Sequence, residues 1–562
     1  MTRPFGIVAA LVLGAAAIAA QTTGNRTPAF TIVEASIADM QAAMAKGRTT
    51  SREIVQQHLT RIALYEDRLN GAIAVNPRAL AEADERDRER RSGRLRGPLH
   101  GIPIALKDNI HTTSMPTTGG ALAFEGFVPP YEATLTKQLR DAGAIVIAKT
   151  VLTELANWVG EGMPTGYSSL AGYSFNPYDP RRHPRGDGRP VLASGGSSSG
   201  IGTAASFWAA SIGTETSGSI LNPASQNMLV GIKPTVGRIS RHGVIPITAD
   251  QDTPGPMGRT VADAAVLLGA LEGAGPDPND PATRACAPPA NRDYRRFLRA
   301  GALKGARIGI PRAFFYDATP RPGVVGVGGG LNPGRRAIMN EAIDVLRKAG
   351  ATIVDPADIP SVVATDPARN FVLWGVCAGS ADGKGQDSDC STVFKYGMKR
   401  DFNAWLASLG GAAPVRTLTE LRSWNRQHES AGSLKYGQAY LDISDEMDVD
   451  ADRARYLADR AKDVELGGRD GIDAALAAHK LDALLFPSNT GSLLAARPGY
   501  PSIIVPFGML PTDDPSLPPG FGPKPAPFGV TFTAGACSEP RLIELAYAFE
   551  QATKRRVPPA LD

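Results

Sequence analysis

Apolar residues near the start of the chain return every three or four positions. Ile37, Met40 and Met44 form one such series, and Ile54, His58, Ile62 and Tyr65 form a second, so each set lines one face of a helix. Thr50 and Glu53 stand where a reciprocal helix cap would form ahead of the second series. The period then changes from near four to two. Ile102, Ile104 and Leu106 alternate toward Lys107 and Asp108, which predicts a buried strand whose end delivers a lysine and a carboxylate. Residues 135–150 read as a helix, a glycine turn and a strand, and the same unit returns at 342–356 and 475–488. Three such units across the chain predict one common sheet in an α/β protein.

Between these units the pattern loosens. Residues 181–190 and the glycine-rich 321–335 read as surface loops. Residues 362–475 carry several helical patterns, at 402–409 and 451–467 among others, and are expected to form an insertion capping the sheet. Trp374, Trp405, Trp424 and Tyr436 lie there and are expected in its core rather than on a substrate platform. Short strands at 502–505 and 530–533 and a helix from Glu539 close the chain, and small residues at 200–210 predict a closely packed helix. One large catalytic domain over 30–559 accounts for the pattern more economically than several modules.

The first 20 residues pair Arg3 with an apolar run from Phe5 and end in small residues. Ala17 and Ala19 fit a cleavage site before Ala20, so residues 1–20 are expected to be an export signal and the mature protein periplasmic or secreted. With 60 basic and 56 acidic residues the net charge is +4, and nothing calls for a nucleic-acid partner. Arg181, Arg182, Arg185 and Arg189 are interrupted by Pro and Gly and read as a solvated loop. Four cysteines at 286, 377, 390 and 537 match no metal spacing; three full pairings are open, and Cys377 with Cys390 is the neighbouring pair.

Two glycine-framed serine turns remain. Residues 195–200 read Gly-Gly-Ser-Ser-Ser-Gly, and residues 213–219 end in a second tight turn at Ser219. Small residues there let backbone amides approach a reacting group. Ser198 sits at the centre of a Gly-x-Ser-x-Gly pattern, but a histidine triad would need His242, His428 or His479, and no local context favours any of them. A nucleotide-phosphate loop would need Gly-Lys-Ser or Gly-Lys-Thr after the glycines, and a dinucleotide fingerprint is likewise missing. No cofactor and no metal are therefore expected.

Together with Gly-x-Lys-Pro-Thr at 231–235, these ordered motifs resemble the amidase signature family. The segment from Ser240 to Ala265 is most similar to its peptide amidase branch, and the likeness runs from about residue 30 to the C-terminus. The resemblance implies a large single-domain α/β fold, a central mixed sheet with helices on both faces. It also implies a Ser-Ser-Lys triad: Ser219 as nucleophile, Ser197 as the residue following a cis peptide bond, and Lys107 as the buried base. Backbone amides of Thr216, Ser217 and Gly218 would form the oxyanion hole, although many members have Gly at the position of Ser217. Asp108, Asn109, Ser198, Thr214 and Asp252 would support the site, Asp108 and Asn109 by bracing the lysine strand and Asp252 by ordering the turn after it. The expected reaction is hydrolysis of a carboxamide C–N bond through an acyl-enzyme. C-terminal peptide amides come first, and broad aryl or alkyl amides, carbamates or esters second. A non-catalytic periplasmic binding protein is the alternative of another class. Neither a stable membrane insertion after signal cleavage nor an obligate protein partner is implied.

Overall fold

The computed structural model describes residues 30–195, 199–512 and 514–561; the expected export signal lies outside them. The two opening helices form where the periodicity places them, over Ile37–Ala45 and Ser51–Leu69. Ser36 and Thr50 each accept from the backbone three residues on, and Asp39 and Glu53 return the bond. Among the described residues, no helix is long and apolar enough to cross a membrane.

Eleven strands build one mixed sheet: β1 Ala72–Val75, β2 Pro103–Lys107, β3 Ile145–Thr150, β4 Ala210–Glu215, β5 Val230–Lys233, β6 Thr253–Gly258, β7 Arg307–Gly309, β8 Thr352–Val354, β9 Ala483–Pro487, β10 Ser502–Leu510 and β11 Ala526–Thr533. Their order is β1-β3-β2-β4-β6-β5-β10-β11-β9-β7-β8. β2 runs parallel to β3 and β4, whereas β6 runs antiparallel to both β4 and β5.

Strand alternation divides the packing between two faces. Ile104, Leu106 and Val146 join a core with the helices Ile37–Ala45, Thr134–Asp141 and Val261–Leu271. Ala105, Ile145 and Ile147 join another with Ser51–Leu69 and Ala79–Arg91. Strands covered on both sides are buried along their whole length, as β2 and β3 are.

One predicted helix is cut short. Helix stops at Ser199–Ala204, and the chain turns at Ser206, φ 57°, before β4 begins at Ala210. Trp208 is the cause. Its ring folds back onto Gly202, where an added Cβ would lie 2.0 Å from Cζ2, and its Nε1 donates to Thr203 Oγ1 at 2.9 Å. The glycine-rich segment at 321–335 is also more ordered than a plain loop, because Thr319–Arg321 pairs with Val324–Gly328 as a short hairpin.

The region 362–475 contributes no strand to the sheet. Its helices Val393–Ser408, Leu418–Gln427 and Ala439–Asp445 share a second apolar core with Phe124, Trp158, Tyr167 and Tyr173. Trp374 and Trp405 are buried, as expected; Trp424 and Tyr436 are only partly so. Two disulfides resolve the pairing left open by the sequence, Cys286–Cys537 and Cys377–Cys390.

Candidate active site

The C-terminal ends of the parallel strands β2 and β4 lie side by side, and antiparallel β6 starts at the same edge. Lys107, Thr214 with Glu215, and Asp252 just ahead of β6 therefore meet although they are distant in the chain. Lys107 is fully buried. Its Nζ donates to the Thr214 carbonyl at 3.2 Å and to Thr214 Oγ1 at 3.0 Å, and Asn109 Nδ2 donates to the same hydroxyl at 3.0 Å. Burial pushes the amine down to about 8, while the charges of Asp252 and Glu215 hold it up in part. A neutral amine has two N–H bonds and one lone pair. With both N–H groups on Thr214, the lone pair is left to accept a proton from elsewhere.

The turn from Thr216 to Ser219 is held at both ends. At its exit, Glu215 accepts from the backbone N–H of Ile220 at 2.8 Å and of Leu221 at 2.9 Å. At its entry, Thr216 Oγ1 donates to Asp252 Oδ1 at 2.5 Å, and Gln251 Nε2 donates to the Thr216 carbonyl at 3.2 Å. The other oxygen of Asp252 takes the N–H groups of Ile247 and Thr248. Asp252 thus orders the turn before it, not the one after as the sequence reading had it, because β6 starts at once and leaves no turn to cap. Burial pushes its carboxyl up to about 7. Gly218 adopts φ 97°, which lets the turn point its backbone inward. Ser219 itself is half-buried.

Residues 196–198, and with them Ser197 and Ser198, lie outside the described residues; the residues flanking them are fixed. Ser199 Oγ meets Thr150 Oγ1 of β3 at 3.0 Å, while Asn227 Nδ2 donates to the Ser194 carbonyl at 3.0 Å. Gly195 sits at φ 79° against the helix that follows Ser219, where an added Cβ would come within 2.5 Å of Pro223 Cα. A left-handed alanine costs about 1–2 kcal/mol before any clash. Gly195→Ala should therefore lose at least about 2 kcal/mol in a denaturant titration and should lower turnover, since the clash is with backbone that cannot swing aside.

Asp108, expected to brace the lysine strand, ties β2 to β3 through a lysine that the sequence reading missed. Its Oδ1 accepts from Lys149 Nζ of β3 at 2.8 Å, with both side chains fully buried, and its Oδ2 accepts from Thr118 N at 3.0 Å. Glu215 and Gln251 were also missed. Glu215 carried a legible signal, an acid directly ahead of a Gly-Ser turn, whereas Gln251 carried none. Two of the three histidines named for a triad are occupied otherwise: His242 stacks on Tyr131, and His428 stacks on Trp424.

A cavity of about 530 Å³ opens beside the helix that follows Ser219, and none of Thr216 to Ser219 is among its described lining residues. Asn222, one helical turn beyond Ser219, forms part of its wall, and its N–H donates to the Gly218 carbonyl at 2.7 Å. Asn489 forms another part, with Nδ2 3.5 Å from the position a Gly218 Cβ would take.

A family model described as Amidase matches residues 53–543, and the chain belongs to the amidase family. Among solved structures it is similar to native peptide amidase from Stenotrophomonas maltophilia, with 38% identity and a TM-score of 0.78, covering 94% of this chain and 99% of that one. A probable amidase of Arabidopsis thaliana is 33% identical over 535 residues, 94% of this chain and 92% of the relative. One glutamyl-tRNA(Gln) amidotransferase subunit, from Chloroflexus aurantiacus, is 40% identical over 316 residues, 56% of this chain and 58% of that protein.

Proposed function

We propose that the protein is a serine amidohydrolase acting on C-terminal peptide amides or similar small amides and releasing ammonia. The observation that carries this reading is Lys107, an amine with no exposed surface, both N–H directions committed to Thr214, and its proton affinity lowered to about 8. Such a lysine exchanges protons near neutral pH, which an ordinary one at about 10.4 does not. Ser219 attacks the carboxamide carbon, and its proton passes through the Ser197 hydroxyl to Lys107. The backbone amides of Thr216, Ser217 and Gly218 stabilise the oxyanion. On collapse the proton returns to the departing nitrogen, so ammonia leaves neutral, and water repeats the cycle on the acyl-enzyme.

Whole-length similarity to a peptide amidase supports the substrate class. The helical region at 362–475 is assigned to capping the substrate. Export to the periplasm or beyond is proposed as well, and two disulfides among four cysteines favour an oxidising compartment.

The test is an organofluorophosphonate probe followed by peptide mapping, beside ammonia or amine release from amidated peptides, aliphatic amides, anilides and carbamates. Label is expected on Ser219, with Ser219→Ala at least about a thousandfold slower on the best amide. Label on Ser198, or none together with no turnover of any amide, would overturn the reading.

A further inference from the structure

The cavity beside the helix that follows Ser219 has a wall of mixed apolar and polar surface, and the polar part hydrogen-bonds almost wholly without charge: Asn222 and Gln226 from that helix, Asn489 and Thr490 after β9, and Asn332 at the opposite rim. No carboxylate stands among its described lining residues. One formal charge does, that of Arg335. It lies exposed in the first turn of the helix Pro333–Lys348, and among the described residues its guanidinium makes no ion pair or hydrogen bond. The neighbouring Arg336, by contrast, is paired with Asp317 at 2.7 Å. That helix has no acidic residue in its first turn, so its positive end reinforces the arginine.

The geometry points to a specificity subsite for an anionic group on the acyl side of the substrate, with Arg335 as the residue that selects it. The substrates favoured would be peptide amides with an aspartate or glutamate side chain close to the terminal carboxamide. This rests on the assignment of Ser219 as nucleophile. A cavity of this size lies within the range of small-molecule sites. An arginine at its rim offers a two-pronged donor for a carboxylate, with nothing in the described wall to compete for it.

The experiment uses the full chain and two matched pairs, acetyl-Ala-Glu-NH2 with acetyl-Ala-Gln-NH2 and acetyl-Glu-Ala-NH2 with acetyl-Gln-Ala-NH2. Members of a pair differ in one charge and hardly in size. At the better position kcat/KM should favour Glu over Gln by roughly fivefold to tenfold at low salt, and less at high salt. The ratio should fall to about one in Arg335→Met, stay near wild type in Arg335→Lys and invert in Arg335→Glu. Turnover of acetyl-Ala-Leu-NH2 should stay within about twofold throughout. A wild-type ratio near one at both positions, or a ratio untouched by Arg335→Met, overturns the proposal. Calorimetric binding of the same four amides to Ser219→Ala separates this result from the chemistry. Preference for the Glu member that vanishes with Arg335→Met upholds the subsite even where the nucleophile assignment fails, and equal binding of both members overturns it.

Discussion

Lys107→Met is expected to lower kcat/KM for the best amide by about a thousandfold while leaving the fold intact, since methionine fills nearly the same buried volume. General-base groups typically contribute between about a hundredfold and ten-thousandfold. The pH dependence gives the sharper test. Burial has moved the folded-state value down to about 8, so the protonated, non-accepting form dominates below it and only about a tenth of the amine is neutral at pH 7. Wild-type log kcat/KM should therefore rise with unit slope up to about pH 8 and flatten above it. Asp252 and Glu215 both act on this amine, so the midpoint belongs to the group of charges rather than to Lys107 alone. The variant should lose that limb. Stability should move the same way. Because the folded lysine holds its proton less tightly than the unfolded one, Lys107 destabilises the fold below about pH 8, and that cost is relieved as pH climbs toward the unfolded value. Turnover within tenfold of wild type in Lys107→Met would sink the assignment.

The second large effect is on stability. Among the described residues, Asp108 is the one carboxylate bonded to Lys149, and Asp108→Ala leaves an ammonium buried with Thr117 Oγ1 and the Pro116 carbonyl. Breaking a buried pair from one side costs about 3–5 kcal/mol. The double change Asp108→Leu with Lys149→Met, which leaves no charge behind, should cost distinctly less. Burial already pushes Lys149 down against the pull of Asp108. Without that carboxylate the lysine sheds its proton more readily, so the deficit of Asp108→Ala should shrink as pH rises. Denaturation midpoints of the three proteins at pH 7 and 9 would decide the matter. A double variant no better than the single one would show that the pair's packing matters more than its charge.

The parts of this fold that could be read in the chain are those decided locally. The caps at Ser36 and Thr50 close over three residues, and the helix-turn-strand units announce themselves through glycine and a change of period. Lys107 and Asp108 stood out because two charges end an apolar alternation. What the sequence could not disclose is partnership at a distance. The cation that satisfies Asp108 lies 41 residues away, and Asn489 and Ser492 approach Gly218 from the far end of the chain. The same limit explains the shortened helix after Ser199. Nothing in a run of small residues says that Trp208 will fold back into the notch at Gly202 and end it. Asp252 was recognised as a cap, but its direction depended on where β6 begins.

The bridge from Cys286 to Cys537 joins residues 251 positions apart and closes the chain between them into a covalent ring. That ring contains β7 to β11, the whole helical region and the Asn489 wall beside the serine turn. A single backbone cut inside it opens a loop instead of dividing the molecule. The lysine strand and the Asn489 wall then stay tethered through sulfur, so these two parts of the fold remain one covalent body until the bridge is reduced.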